Sequence, residues 1–225
     1  YDAEGDSIWE YDLWRDSISD GALESFQATP SFSAVRVSND NVYPGVRLER
    51  SVLLTRHYLA DVYRITADRE RQLDWALHGA AELLFEAGSG EPVALGDRRG
   101  YRHLTRAVRQ NTGTEWTALP FRVGDAGGRV MLWMNGAPDV SLVLATDPVP
   151  EGKELPPHPS TLLLRTRAAA ATFVVVWSFD GQAPVTAAIR RNDPGELRLE
   201  VSSPPGRHAW RFPAAGAVAQ LTAEG

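Results

Sequence analysis

Short stretches of this chain alternate apolar and polar residues, and turn residues separate them. Leu197, Leu199 and Val201 alternate with Arg198, Glu200 and Ser202. A period of two belongs to a strand with one buried and one wet face. Apolar spacing of the helical kind is weak throughout, while β-branched and aromatic runs recur. The pattern predicts strands over 33–38, 46–55, 58–65, 72–77 and 80–86. After a looser stretch it predicts strands over 114–123, 129–134, 140–146, 161–166 and 172–179. The last four fall over 185–190, 196–201, 208–212 and 217–222. Asp125 to Gly128, Asp180-Gly181, Asn192 to Gly195 and Pro204 to Gly206 supply residues that fix φ or permit a positive one. Many short strands at this spacing imply an all-β fold, a large antiparallel β-sandwich with few or no helices. Residues 1–31 read as an irregular lead-in and 32–225 as the sandwich. The Pro-rich stretch 148–159 reads as a surface loop or a weak boundary.

Composition narrows the function classes. The chain has 225 residues, long enough for a full core, and 43% of them are hydrophobic. Lys and Arg total 23 against 29 Asp and Glu, a formal charge of −6. That balance argues against nucleic acid, whose phosphates need a basic face. The longest apolar run, Thr172 to Trp177, is far too short to span a bilayer. The absence of cysteine removes disulfides, thiolate chemistry and cysteine-ligated metal. Lys153 is the one lysine, so nearly every positive charge is an arginine. The chain starts at Tyr1 without a basic-then-apolar leader, which raises the expectation of a processed or truncated chain.

Two groups of residues carry candidate chemistry. Asp74 and His78 are four apart, so on a strand they share a face, and Asp61 lies nearby in sequence. A metal or acid–base site there would need a third ligand at the right distance. The spacing matches no recognised ligand set, so a polar cluster of Asp61, Asp74 and His78, with Arg50 or Arg64 satisfying the carboxylates, is favoured. The second group is Arg98, Arg99, Arg102, Arg106 and Arg109, with Tyr101 and His103, in the loosest part of the chain. Arginine suits bidentate grip on carboxylate or sulfate, and a solvated loop face weighs evenly against that. His57 and Tyr58 read as exposed turn residues. Trp75, Trp133 and Trp177 read as core, whereas Trp9, Trp14, Trp116 and Trp210 are freer to stack on sugar rings.

The stretch 43–79 reads YPGVRLERSVLLTRHYLADVYRITADRERQLDWALHG. It resembles a Y-x-G-V-x-x-x-R-x-x-x-L segment, a D-V-[FY]-R-[VI] strand and a D-[WY]-x-x-H-G strand of the C-terminal β-sandwich in heparinase II/III-like and alginate-lyase-like polysaccharide lyases. The matching positions are Tyr43, Gly45, Val46, Arg50, Leu54, Asp61, Val62, Arg64, Asp74, Trp75, His78 and Gly79. Thr161 to Phe179 resembles a later Arg-bearing strand followed by an F-V-x-V strand, and Arg129 to Ala145 a strand pair between them. The resemblance implies β-elimination of uronate-containing polysaccharide in a cleft between an upstream α-helical toroid and the sandwich. It also implies a periplasmic or secreted location.

The chain departs from that pattern. It offers no long run of amphipathic helices for a toroid, and its five histidines stand alone, without the H-x-H pair of a metal-linked strand. The resemblance makes Tyr1 and His78 weak catalytic candidates. The basic stretch itself makes Arg98, Arg99, Arg102 and Arg106 candidates for gripping the polymer. No cofactor or metal is expected in this chain, and zinc or calcium only in a longer parent. The sequence therefore leaves three readings. One is a lyase sandwich domain, catalytically incomplete alone, that acts on acidic polysaccharide or oligosaccharide beside an upstream toroid. The others are a non-catalytic carbohydrate-binding module and a structural domain without ligand. None of them involves nucleic acid or a membrane.

Overall fold

The computed structural model describes residues 21–78, 82–84, 90–97, 101–112, 116–123, 128–135, 139–147, 159–179, 186–190, 196–203, 206–214 and 222–224. Every regular element among them is a strand. In order they are β1 (Ala22–Ala28), β2 (Phe32–Tyr43), β3 (Val46–Thr55), β4 (Tyr58–His78), β5 (Glu82–Leu83), β6 (Glu91–Pro92), β7 (Thr105–Asn111) and β8 (Thr117–Val123). Then follow β9 (Gly128–Met134), β10 (Ser141–Thr146), β11 (Thr161–Ser178), β12 (Thr186–Arg190), β13 (Leu197–Ser203), β14 (Gly206–Phe212) and β15 (Thr222–Glu224). All pairings are antiparallel, and the all-β sandwich expected from the pattern is what forms.

Two long strands organise the larger sheet. β4 and β11 pair along their whole length, from Thr161 opposite His78 to Ser178 opposite Tyr58. On one side the sheet continues through β3 and β2 to β1. On the other side β11 divides its partners: its first half pairs with β10, and its last residues pair with β9. One branch runs on through β7 to β6, the other through β8 to β5. The smaller sheet has the order β12-β13-β14-β15.

Alternation along β4 and β11 produces two cores. Ala60, Val62, Val174 and Val176 turn toward the smaller sheet and pack with Leu197, Leu199, Val201, Trp210 and Phe212. Ile65, Phe173 and Val175 turn the other way, where Leu119, Leu132, Leu142 and Leu164 from both branches join them. Burying one such side chain stabilises the fold by about 1.5–3 kcal/mol before entropy is counted. Next to the first core, Glu49 is buried between Arg36 and Arg64, at 2.7 and 2.9 Å, so the carboxylate and both guanidiniums are paired.

Several expectations change. The separate strands predicted at 58–65 and 72–77 are one strand, β4, interrupted where residues 67–70 bulge opposite Ala169. The strands predicted at 161–166 and 172–179 likewise merge into β11. The irregular lead-in contains β1, whose alternation is hidden by a bulge between Leu23 and Ser25 and by exposed Leu23 and Phe26. The stretch read as the loosest holds β7, which pairs with β10 and β6. Tyr58 is not an exposed turn residue: it is fully buried, because it opens β4 with its ring in the first core. Trp210 is also core, at 4% exposure.

Candidate functional site

β2 and β3 are joined by the two-residue turn Pro44-Gly45, with Tyr43 opposite Val46. Gly45 has φ +70, which proline cannot adopt and an L side chain adopts only at a cost. A Cβ on Gly45 would also lie 2.5 Å from the Asp68 carboxylate. Asp68 belongs to the bulge of β4 and donates its backbone N–H to the Gly45 carbonyl at 2.9 Å. Buried Arg71 completes the clasp by donating to the Pro44 carbonyl at 2.9 Å and to Asp68 at 2.8 Å. The same guanidinium holds the Asp68 carboxyl below the usual carboxylate range. The bulge thus fixes the hairpin tip, and with it Tyr43, over the face of β4.

Tyr63 stands on that face. It pairs across β3 with Arg50, whose guanidinium lies 5.8 Å from the ring centroid. Burial pushes its phenol up to about 12, helped by the nearby Tyr43 phenol and by Asp61, and opposed by Arg50. Its hydroxyl makes no hydrogen bond among the described residues.

The opposite wall is built on an ion pair. Asp74 and Arg165 are direct partners across β4 and β11. The guanidinium grips both carboxylate oxygens at 2.8 Å, a bidentate pair. The Tyr101 hydroxyl donates to the same carboxylate, and its ring lies 4.9 Å from the Arg165 guanidinium carbon. Burial first, and then the Asp74 charge, push the Tyr101 phenol far above its ordinary value. Gln72 reaches Asp74 and Tyr101 through its amide nitrogen, at 3.4 and 3.5 Å.

Between these walls lies a cavity of about 230 Å³, lined by Tyr43, Leu48, Tyr63, Gln72, Asp74 and His78 and bounded by Tyr101 and Leu104. Arg102 and His103 are exposed on the turn between Tyr101 and Leu104, with Arg102 Nε donating to His103 Nε2 at 2.9 Å. Arg106 follows at the start of β7 and is the one non-glycine among the described residues with a positive φ, 51°. At the far end His78 Nδ1 lies 3.0 Å from the Thr161 hydroxyl and 3.3 Å from Asp147. Thr161 also donates to Asp147. Burial works to raise the Asp147 carboxyl, but hydrogen bonds from Thr161, Ser160 and His78 outweigh it and hold the group low.

The predicted polar cluster therefore divides. Asp74 and His78 share a face and one cavity, as their spacing requires, but they have different partners. Asp61 lies apart, gripped by Arg50 at 3.0 and 2.5 Å and by the Trp75 indole at 2.9 Å. Arg64 satisfies Glu49 rather than either aspartate. Among the described residues no three His, Asp or Glu side chains come together, so these residues do not fit a zinc or calcium site. Of the basic group, Arg102 is exposed on the turn between the lining residues Tyr101 and Leu104, Arg106 is exposed at the start of β7, and Arg109 pairs with Glu91 at 3.0 Å. Arg98, Arg99 and Tyr1 lie outside the described residues. Arg165 and Gln72 were not predicted. Arg165 is 91 residues from Asp74, and only the register of β4 on β11 brings them together.

No known family model and no curated protein matches the sequence. Solved structures do match the fold. A heparinase III gene product superposes with TM-score 0.58 at 11% identity, over 86% of this chain and 27% of that one. The heparan sulfate lyase HepC of Pedobacter heparinus superposes with TM-score 0.55 at 18% identity, over 87% of this chain and 28% of that one. The chain thus has a heparinase-like polysaccharide lyase fold, and spans little more than a quarter of the length of either structure.

Proposed function

We propose that this chain is the β-sandwich part of a polysaccharide lyase-like protein acting on uronate-containing acidic polysaccharide, and that its own share is to hold the sugar chain. The likeness to the two lyase structures over most of this chain is the observation that supports the reading. β-Elimination needs a neutralised uronate carboxylate, a base for the adjacent C–H proton and an acid for the leaving oxygen. The cavity residues suit binding better than proton transfer. Tyr63 keeps its proton up to about 12, and Asp74 is held by Arg165 and Tyr101. The base and the carboxylate-neutralising group are accordingly assigned to residues outside those described, in keeping with an upstream toroid as partner.

Affinity electrophoresis through gels containing heparan sulfate or alginate tests the binding share, and ultraviolet absorbance of unsaturated uronate ends tests the chemical share. The expected result is retardation in at least one gel with no absorbance generated by this chain alone. Unretarded migration in both gels overturns the binding role. Unsaturated ends made by this chain alone overturn the assignment of the chemistry to other residues.

A further inference from the structure

We infer that the cavity between the β2–β3 hairpin tip and the 101–104 turn is a subsite for one sugar unit of an acidic oligosaccharide. The unit enters by its hydroxyls and its apolar ring face, and its anionic group stays outside, on Arg102 and Arg106. The inference rests on the reading of this chain as the polysaccharide-holding part of a lyase-like protein, and adds where the polymer sits and how its charge is met.

Size and lining point to a sugar ring. About 230 Å³ is small for a drug-sized ligand and suits a single pyranose. Val46, Leu48, Ile65, Leu104 and Leu163 supply the apolar part of the wall. The polar part has unused capacity. The Tyr63 hydroxyl is unpartnered among the described residues and, being a neutral phenol, both donates and accepts. Among the described residues Gln72 makes its hydrogen bonds through its amide nitrogen, which leaves the carbonyl oxygen as an acceptor. His78 uses Nδ1 on Thr161 and Asp147, so Nε2 is the nitrogen left to face a ligand. An acceptor, a phenol and an imidazole nitrogen beside apolar carbon form an amphipathic lining of the kind sugars match, with hydroxyls at the edge and C–H groups on the face.

The charges that line the interior are already paired. Asp74 is gripped by Arg165, and Asp147 contacts His78 behind the cavity, so the interior suits a neutral part of the sugar better than its carboxylate or sulfate. Arg71 lines the cavity too, but its Nη2 is committed to Pro44 and Asp68. The 101–104 turn and the start of β7 beside it have the opposite character. Arg102 and Arg106 are exposed, and Arg106 has no acid partner among the described residues. Arg106 is also held at φ 51°, which costs energy for a residue with a side chain. Exposed guanidiniums of this kind can grip planar anions bidentately.

Calorimetric titration separates the possibilities. The probes are a sulfated glucuronate-containing tetrasaccharide, a mannuronate tetrasaccharide and an uncharged glucose tetrasaccharide. The wild-type chain is expected to bind at least one acidic probe. Tyr63→Phe and Gln72→Ala each raise its Kd by about three- to tenfold, the value of one lost neutral hydrogen bond. The double variant Arg102→Gln/Arg106→Gln raises it at least tenfold and flattens its dependence on salt. The uncharged probe binds more weakly, responds to Tyr63→Phe and ignores the arginine pair. Tyr63→Phe removes no hydrogen bond among the described residues, so its thermal midpoint stays at the wild-type value and a lost affinity reports on the site. If the wild-type chain binds an acidic probe and neither cavity variant changes Kd, the subsite is wrong while the lyase-like reading stands. If the arginine pair has no effect on the acidic probe, the division of charge is wrong. If the wild-type chain binds no acidic probe, the subsite and the reading beneath it fall together.

Discussion

The Trp210 indole donates its N–H to the Tyr58 hydroxyl at 2.6 Å, joining the smaller sheet to the larger one inside the core they share. Tyr58 opens β4 and Trp210 lies on β14, 152 residues further on. The same hydroxyl lies 3.1 Å from His208 Nδ1, so it can accept from the indole and donate to the imidazole. Burial pushes the phenol up to about 12, with the Trp210 hydrogen bond pulling against it. The ring is a core side chain whose one polar atom is used on both sides.

Tyr58→Phe keeps the ring and removes that atom. The Trp210 N–H is then left without an acceptor at 4% exposure, and His208 loses a partner. An unsatisfied buried donor costs about 1–3 kcal/mol. Urea unfolding should show a lower midpoint with an unchanged slope, because the surface exposed on unfolding is the same. An unchanged midpoint would show that the bond adds nothing to the joining of the sheets.

Arg165→Met tests the ion pair on which one wall of the cavity is built. It strips two hydrogen bonds from Asp74, whose side chain is only 10% exposed, and leaves that carboxylate with Tyr101 and Gln72. Breaking a fully buried pair costs about 3–5 kcal/mol, and partial exposure here reduces the expectation to about 2–3 kcal/mol. The double variant Asp74→Leu/Arg165→Met should recover much of the loss, since no charge is then stranded. Additive losses in this double-mutant cycle would mean that the two side chains do not depend on one another.

The Asp147 carboxyl is held below its ordinary value of 3.8 because hydrogen bonds from Thr161, Ser160 and His78 outweigh the effect of burial. A depressed carboxyl stabilises the fold above its unfolded value, and the contribution fades as pH falls through the lower folded value. Asp147→Asn should therefore melt below the wild type at neutral pH, with the gap closing as pH falls through the lowered folded value. Melting curves across that range decide it: a gap independent of pH would make the contribution geometric rather than ionic.

How much of this was legible depends on what each residue touches. β3 is legible from end to end because its apolar and β-branched residues run on to Thr55, where Leu53 and Thr55 flank exposed Leu54, and no bulge interrupts its pairing with β4. β4 was read as two pieces because Ala67, Asp68, Arg69 and Glu70 look like a polar turn, whereas they form a bulge that clasps the hairpin tip. Parity placed Asp74 and His78 on one face correctly, since a strand preserves parity wherever its pairing is unbroken. Parity carries no information on what faces them. Arg165 and Tyr101 reach Asp74 through strand register and a loop, and sequence distance hides both. Asp61 groups with Asp74 in the sequence because the two acids lie near one another along the chain. The intervening bulge sets their faces independently, and each found its own arginine.

Gly45→Ala joins the fold to the proposed site. Position 45 needs φ +70, and the added Cβ would press on the Asp68 carboxylate, the partner that Arg71 shares with the Pro44 carbonyl. The backbone term alone costs about 1 kcal/mol, and the clash adds to it unless Asp68 turns away. If Asp68 does turn, Arg71 loses one of its two acceptors and the hairpin tip loosens, carrying Tyr43 from the cavity wall. The variant should thus lower the thermal midpoint by several degrees and weaken the acidic tetrasaccharide in the same step. Asp68→Ala is the counterpart: it opens the space that a Cβ needs, so in its background Gly45→Ala should cost less than in the wild type. An equal cost in both backgrounds would remove Asp68 from the explanation and leave the positive φ alone as the reason for glycine at the tip.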